Sequence, residues 1–198
     1  MRIPILVVCF LVLTSGCIGN TGDPVQPGDA EGMYTESTTP PQQPKTPSSA
    51  EYDVDVERIE YLIHKKMNDH RQENGFQPLT QNKTLTAAAQ YKSWDMAQRD
   101  YFSHTGPNGS THTDLREKYG LKCDYSGQNI YKDNSTMNSR NVHLALKNNE
   151  KIASAAVRVL LNSPGHRENA LSSNYDSQGI GVFVDENGTV FVTQELCG

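Results

Sequence analysis

The first residue in this chain that could do chemistry is a histidine at a corner. Asn162-Ser163-Pro164-Gly165-His166-Arg167 closes one apolar helical run and opens another. Pro164 lacks a backbone donor and disfavours helix at the residue before it, so the incoming helix should stop at Ser163. Gly165 is expected to take a positive φ and turn the chain sharply before His166. An imidazole held by backbone on both sides can be aimed at a ligand, although satisfying a nearby carbonyl would explain it as well. His104 is placed similarly, after the aromatic pair Tyr101-Phe102 at a helix end and before the loop residues Gly106, Pro107 and Asn108. Gln128, in Gly127-Gln128-Asn129-Ile130, opens a strand and offers a neutral amide. Ser163 precedes His166 by three residues, but across a Pro-Gly turn the two need not face each other. With no orienting acid evident, a serine hydrolase is disfavoured. Glu168 and Glu195 are the nearest acids by sequence, and no spacing brings them into a shared site.

These residues must be positioned by the elements between them. Val56, Ile59, Leu62, Ile63 and Met67 recur at helical spacing up to a stop at Gly75. Pro78-Leu79 reads as a short crossing. A second helix is expected over 84–100, burying Leu85, Ala88, Ala89, Trp94 and Met96, its alanines implying close packing on another element. One or two helical turns follow over 114–119, then the strand at Gln128 and a polar surface excursion over 131–149. Ile152, Ala155, Ala156, Val159 and Leu160 mark a third long helix. Residues 179–184 and 189–194 read as strands joined by the turn Asp185-Glu186-Asn187-Gly188. Helices first and a hairpin last predict an α+β fold, with helices packed on a small, mainly antiparallel sheet. On this reading His64 and His70 are surface or edge residues. His112 falls in a loop and His143 in the excursion, so neither is a site candidate.

Phe102-Ser103-His104-Thr105, Gly127-Gln128-Asn129-Ile130, Ser163-Pro164-Gly165-His166-Arg167 and the closing hairpin together resemble the CAP superfamily, and its prokaryotic branch most. That superfamily includes the cysteine-rich secretory proteins, antigen 5 and the plant pathogenesis-related proteins. The resemblance spans about residues 55–197. It implies a three-layer α-β-α sandwich, an extracytoplasmic location, and a cleft where two histidines and two glutamates commonly meet and some members bind zinc or another divalent ion. Carried over, the histidines are His104 and His166. The first glutamate is Gln128 here, and the second falls near Ser163 and is absent. A neutral amide ligates weakly and cannot act as a general base at neutral pH. The implied cleft of His104, Gln128, Ser163 and His166 therefore has no confident catalytic residue. Any zinc held by His104 and His166 would be weak, and Gln128→Glu would be expected to strengthen it.

The rest of the chain says where such a domain would work. Met1-Arg2 and the apolar run from Ile3 to Leu13 make a signal peptide over 1–16. Its end, Leu13-Thr14-Ser15-Gly16-Cys17, resembles a prokaryotic lipobox, which implies lipidation of Cys17. Without lipidation the protein would be secreted. Residues 17–50 are rich in Pro, Thr and Ser with almost nothing apolar, a composition that reads as a disordered tether ahead of a domain over 51–198. Cys9 would leave with the leader and Cys17 would carry lipid. That leaves Cys123 and Cys197 to pair in an oxidising setting or to stay as two buried thiols. The net charge of −5 becomes −6 without the leader, which carries Arg2 and no acid. With no basic run, nucleic acid is excluded as a partner. The expectation is a monomeric, lipid-anchored binding module for a small lipid, a peptide or a cell-envelope ligand, needing no cofactor. A metal-dependent, peptidase-like hydrolase is the alternative.

Overall fold

The structure, a computed structural model, describes residues 54–133 and 148–198. The leader, Cys17, the tether, Asn134 and His143 lie outside these residues. Helix α1, Val56–Glu73, is capped by Asp55, whose side chain accepts from Arg58 N, and the chain leaves it through Gly75 at φ +80°. Strand β1, Thr80–Gln81, comes next, and Asn82 then caps α2, Lys83–Gln98, by accepting from Thr84 N and Leu85 N. Thr111 and Asp114 form a capping box at the start of α3, His112–Lys118. Then follow β2 (Ser126–Asp133), α4 (Asn149–Asn162), α5 (Pro164–Leu171), β3 (Ser177–Val184) and β4 (Val190–Cys197).

The sheet order is β1-β3-β4-β2, with β4 antiparallel to both neighbours and β1 parallel to β3. The mainly antiparallel sheet is as expected. The crossing at Pro78-Leu79 in addition feeds a two-residue parallel edge strand. Strand alternation sorts the side chains to two faces. Ile180, Val182, Val190 and Val192 face one way and pack with Ile59, Ile63 and Met67 of α1 and Ala156 and Leu160 of α4. On the other face α2 lies almost backbone to backbone on β3. A Cβ on Gly181 would fall 2.0 Å from Gln90 N, and one on Gly179 would fall 2.1 Å from the Leu85 carbonyl carbon. The alanines of α2 allow that approach, and two strand glycines complete it.

Three details differ from the sequence reading. Trp94 is only half-buried, while the inner side of α2 buries Lys92, Ser93 and Asp95. Ser93 Oγ is satisfied there by Gly181 O and Thr193 Oγ1, both at 2.9 Å. In α4 the buried stripe is Ile152, Ala153, Ala156, Val157, Leu160 and Leu161, and Val159 is exposed. Two apolar stripes of helical period overlap in this segment, and the one that meets α1 is rotated from the one expected. Gly165 takes no positive φ. Ser163 makes the corner in an extended conformation (φ −85°, ψ 122°), and Pro164 opens α5 at its first position. There its missing N–H is no loss. Cys123 and Cys197 are joined in a disulfide with a Cα–Cα distance of 5.3 Å.

Candidate functional site

Strand β2 is the edge of the sheet, and the two histidines approach it from different layers. His104 comes from the segment after α2, and His166 from α5, which packs on α4 and β2. Their ring centroids are 6.3 Å apart and their planes 67° apart. The structure therefore brings together two side chains that sequence separates by 62 positions.

Gln128 stands behind His104 rather than between the histidines. It is buried, with Oε1 2.9 Å from His104 Nδ1, and its Nε2 donates to Glu195 Oε1 at 2.6 Å. Glu195 faces Gln128 directly across the β2–β4 ladder, is fully buried, and accepts from Arg116 Nη1 at 3.2 Å through its other oxygen. Burial pushes the Glu195 carboxyl up to about 7, against the Gln128 hydrogen bond and the charges of Arg116 and Lys92, which hold it down. With Glu195 accepting, the Gln128 amide turns its oxygen to His104, so Nδ1 donates and Nε2 is the ring nitrogen that Gln128 leaves unengaged.

His166 is fixed through its backbone, since Asn129 Nδ2 donates to His166 O at 3.0 Å. Its ring nitrogen Nδ1 is buried without a protein partner. Burial, and then the charge of His104, hold its pKa below the usual histidine value. Asn129 also takes part in a one-way chain of side-chain amides. Asn169 donates to Asn129, Asn129 to Gln194 and Gln194 to Gln178, whose Nε2 meets His64 Nδ1 at 3.0 Å. His64 is thus half-buried and tied to the sheet, where a surface or edge residue was expected. A Cβ on Gly127 would lie 2.6 Å from the Tyr175 hydroxyl, so a larger residue there would displace that side chain.

Several neighbours had no sequence signal. His112 opens α3 instead of lying in a loop. It is half-buried and pushed down to about 4 by burial, and then by the charges of Arg116, His104 and Lys92. Lys92 is buried under His104, donates to His104 O at 3.1 Å and to the Tyr101 hydroxyl at 3.0 Å, and is drawn down to about 8 by burial. Tyr101 is the anchor of that segment, whereas Phe102 is exposed. Ser163 makes no hydrogen bond to His166 and no side-chain cap on α5, and Glu168 is exposed. Only the period-2 alternation of β4 could have revealed Glu195, and only with the register to β2 already known.

A resident metal ion is a poor fit to these donors. Zinc wants three or four ligands, usually with carboxylate or thiolate charge among them or close behind. Among the described residues no group of three or more His, Cys, Asp or Glu is placed to hold one. The Gln128 oxygen is engaged by His104, and the adjacent carboxylate of Glu195 is turned into the protein toward Arg116. The arrangement suits a neutral polar ligand instead, bound at the His104 ring nitrogen that Gln128 does not engage.

Comparison with known proteins agrees with the architecture. The model of the cysteine-rich secretory protein (CAP) family matches residues 64–196. The protein YkwD of Bacillus subtilis (strain 168) is 29% identical over 169 residues, covering 85% of this chain and 58% of that protein. This chain therefore spans little more than half the length of that relative. A crystal structure of an extracellular protein containing an SCP domain, from Bacillus anthracis, superposes with a TM-score of 0.58 at 24% identity over 72% of this chain and 41% of that one. An outer surface protein of Borrelia burgdorferi superposes with a TM-score of 0.60 at 14% identity, over 73% and 95% of the two chains.

Proposed function

The chain belongs to the cysteine-rich secretory protein (CAP) family, and on that premise we propose that it is an extracytoplasmic binding module. It is anchored through a lipid on Cys17 and holds a polar ligand between His104 and His166 without catalysis of its own. The observation that carries this reading is the placement of Glu195. The carboxylate joined to the cleft is buried behind Gln128 and paired with Arg116, so it can neither ligate a metal in the cleft nor take a proton from a substrate there. What remains facing a ligand is a pair of hydrogen-bonding imidazoles. The lipobox-like end of the leader supports the anchor. The external location of two relatives, named as extracellular and outer surface proteins, supports the side of the membrane. Among the described residues no helix is long and apolar enough to cross a membrane.

The test is to purify the full chain from detergent extracts of expressing cells and identify by mass spectrometry what it retains. A peptide, lipid or envelope fragment kept by wild type and lost from His104→Ala and His166→Ala supports the reading. Cys17→Ser should move the protein from the detergent phase to the aqueous phase. Hydrolysis of an ester or peptide that a chelator and His166→Ala both abolish would establish the hydrolase instead.

A further inference from the structure

A second concave site lies between α2 and α3. It is a cavity of about 340 Å³, within the size range of small-ligand sites. Tyr91 and Trp94 form one wall, one helical turn apart and so on one face of α2. Their ring centroids are 5.4 Å apart and their planes tilted by 51°. Both rings are half-buried at the cavity: Tyr91 packs at the margin of the small cluster of Ala88, Leu115 and Tyr119, and Trp94 belongs to no core cluster among the described residues. The second wall is polar. Asp95 accepts from Arg99 through both carboxylate oxygens and from the Tyr101 hydroxyl, and Lys92 donates to that same hydroxyl. These partners fix a carboxylate and a guanidinium beside the rings before any ligand arrives. Arg99 commits Nε and one terminal nitrogen to Asp95, which leaves part of its donor fork uncommitted. Asn108 and Ser110 face them from the loop ahead of α3.

An aromatic face beside rigid planar polar groups is complementary to a molecule with an apolar face and a rim of hydroxyls. A pyranose ring has that form: its axial C–H bonds make a flat apolar surface and its equatorial hydroxyls project sideways. From this arrangement we propose that the groove between α2 and α3 binds a sugar residue of a glycan, stacked on Trp94 and hydrogen-bonded through Arg99 and Asn108. None of His104, Gln128, Ser163 and His166 lines the groove, and Lys92, which does, donates to the His104 carbonyl from its far end.

The chain contains a single tryptophan, and it is in the groove. Intrinsic fluorescence of the full chain is therefore a direct report. The titrants are hexamers of β-1,4-linked N-acetylglucosamine, β-1,4-linked glucose and α-1,4-linked glucose. At least one should change the Trp94 emission saturably. By calorimetry, Trp94→Ala and Asn108→Ala should each weaken that binding about tenfold or more, while Trp94→Phe retains most of it and His166→Ala all of it. If Trp94→Ala is poorly folded by circular dichroism, Asn108→Ala, in an exposed loop, decides alone. No saturable change with any of the three hexamers overturns the proposal. So does binding that survives the groove variants and is lost in His166→Ala.

Discussion

At the scale of single residues, the neutral amide at 128 organises the cleft more than either histidine does. Its side chain touches both a cleft imidazole and the buried Glu195–Arg116 pair. From the sequence, Gln128→Glu looks like the return of a metal-binding carboxylate. In the structure the new carboxylate would stand where Gln128 Nε2 now lies, 2.6 Å from Glu195 Oε1. Two carboxyls at that distance disfavour joint ionisation, so their folded pKa values lie above the unfolded ones. The sign follows from linkage. Well below the ordinary carboxyl value of 4.5 both hold protons in either state and the added repulsion is absent, whereas stability is lost as pH rises through the raised folded values. The expected penalty at pH 8 is on the order of 3 kcal/mol, the scale of a disrupted buried pair. Urea unfolding of both proteins at about pH 3 and pH 8 measures it, alongside a calorimetric zinc titration. A variant that binds zinc more tightly and unfolds like wild type at pH 8 would mean that residue 128 faces the ligand, not Glu195.

At the scale of elements, the close approach of α2 to β3 is both readable and fragile. Gly181 is indispensable for space, since its Cα faces the backbone of Ala89 and Gln90, which cannot move away without shifting α2. Gly181→Ala should therefore cost at least the roughly 1–3 kcal/mol typical of overpacking. Gly165→Ala, whose Cβ would meet nothing within 4 Å, should cost almost nothing. Comparing the two by urea denaturation checks this, and similar losses would put the α2–β3 contact in error. The alanines at 88 and 89 announced that closeness, because only small side chains let two backbones approach. Helix and strand periods likewise revealed α1, α2, α4, the closing hairpin and the strand at Gln128. What did not show was rotation within a period. Both apolar stripes of α4 have helical spacing, so Val159 looked as buried as Val157 until α1 was in place. Trp94 shares the helical period of the buried residues of α2, yet the inner face holds Ser93, which satisfies Gly181 O and Thr193 Oγ1. His64, His112 and Lys92 acquire their environments from residues distant in the chain, and no local pattern carries that.

At the scale of the whole domain, the start of the edge strand β2 and the end of its neighbour β4 are joined at one place. The disulfide links the segment ahead of β2 to the last residue of β4 across 74 positions. Beside it, paired backbone hydrogen bonds between Tyr125 and Gly198 extend the ladder. Glu195 lies two residues from Cys197 on that strand, and its pairing with Gln128 depends on the same β2–β4 register. The crosslink should therefore act in two ways. Closing a loop of this length removes entropy from the unfolded chain, contributing roughly 4 kcal/mol in the chain-entropy model. It also pins the register that sets Glu195 behind Gln128, and through it the protonated nitrogen of His104. Peptide mapping without reductant should recover Cys123 and Cys197 in one linked species. In the Cys123→Ser, Cys197→Ser double variant, urea unfolding should show a loss of up to about 4 kcal/mol. Amide exchange should quicken first at the Tyr125–Gly198 end of the ladder, where the strands would be free to fray. Two free thiols in the native protein would refute the bond. Faster exchange spread evenly over the sheet, with the Tyr125–Gly198 end no different from β3, would refute the link between the bond and the local register.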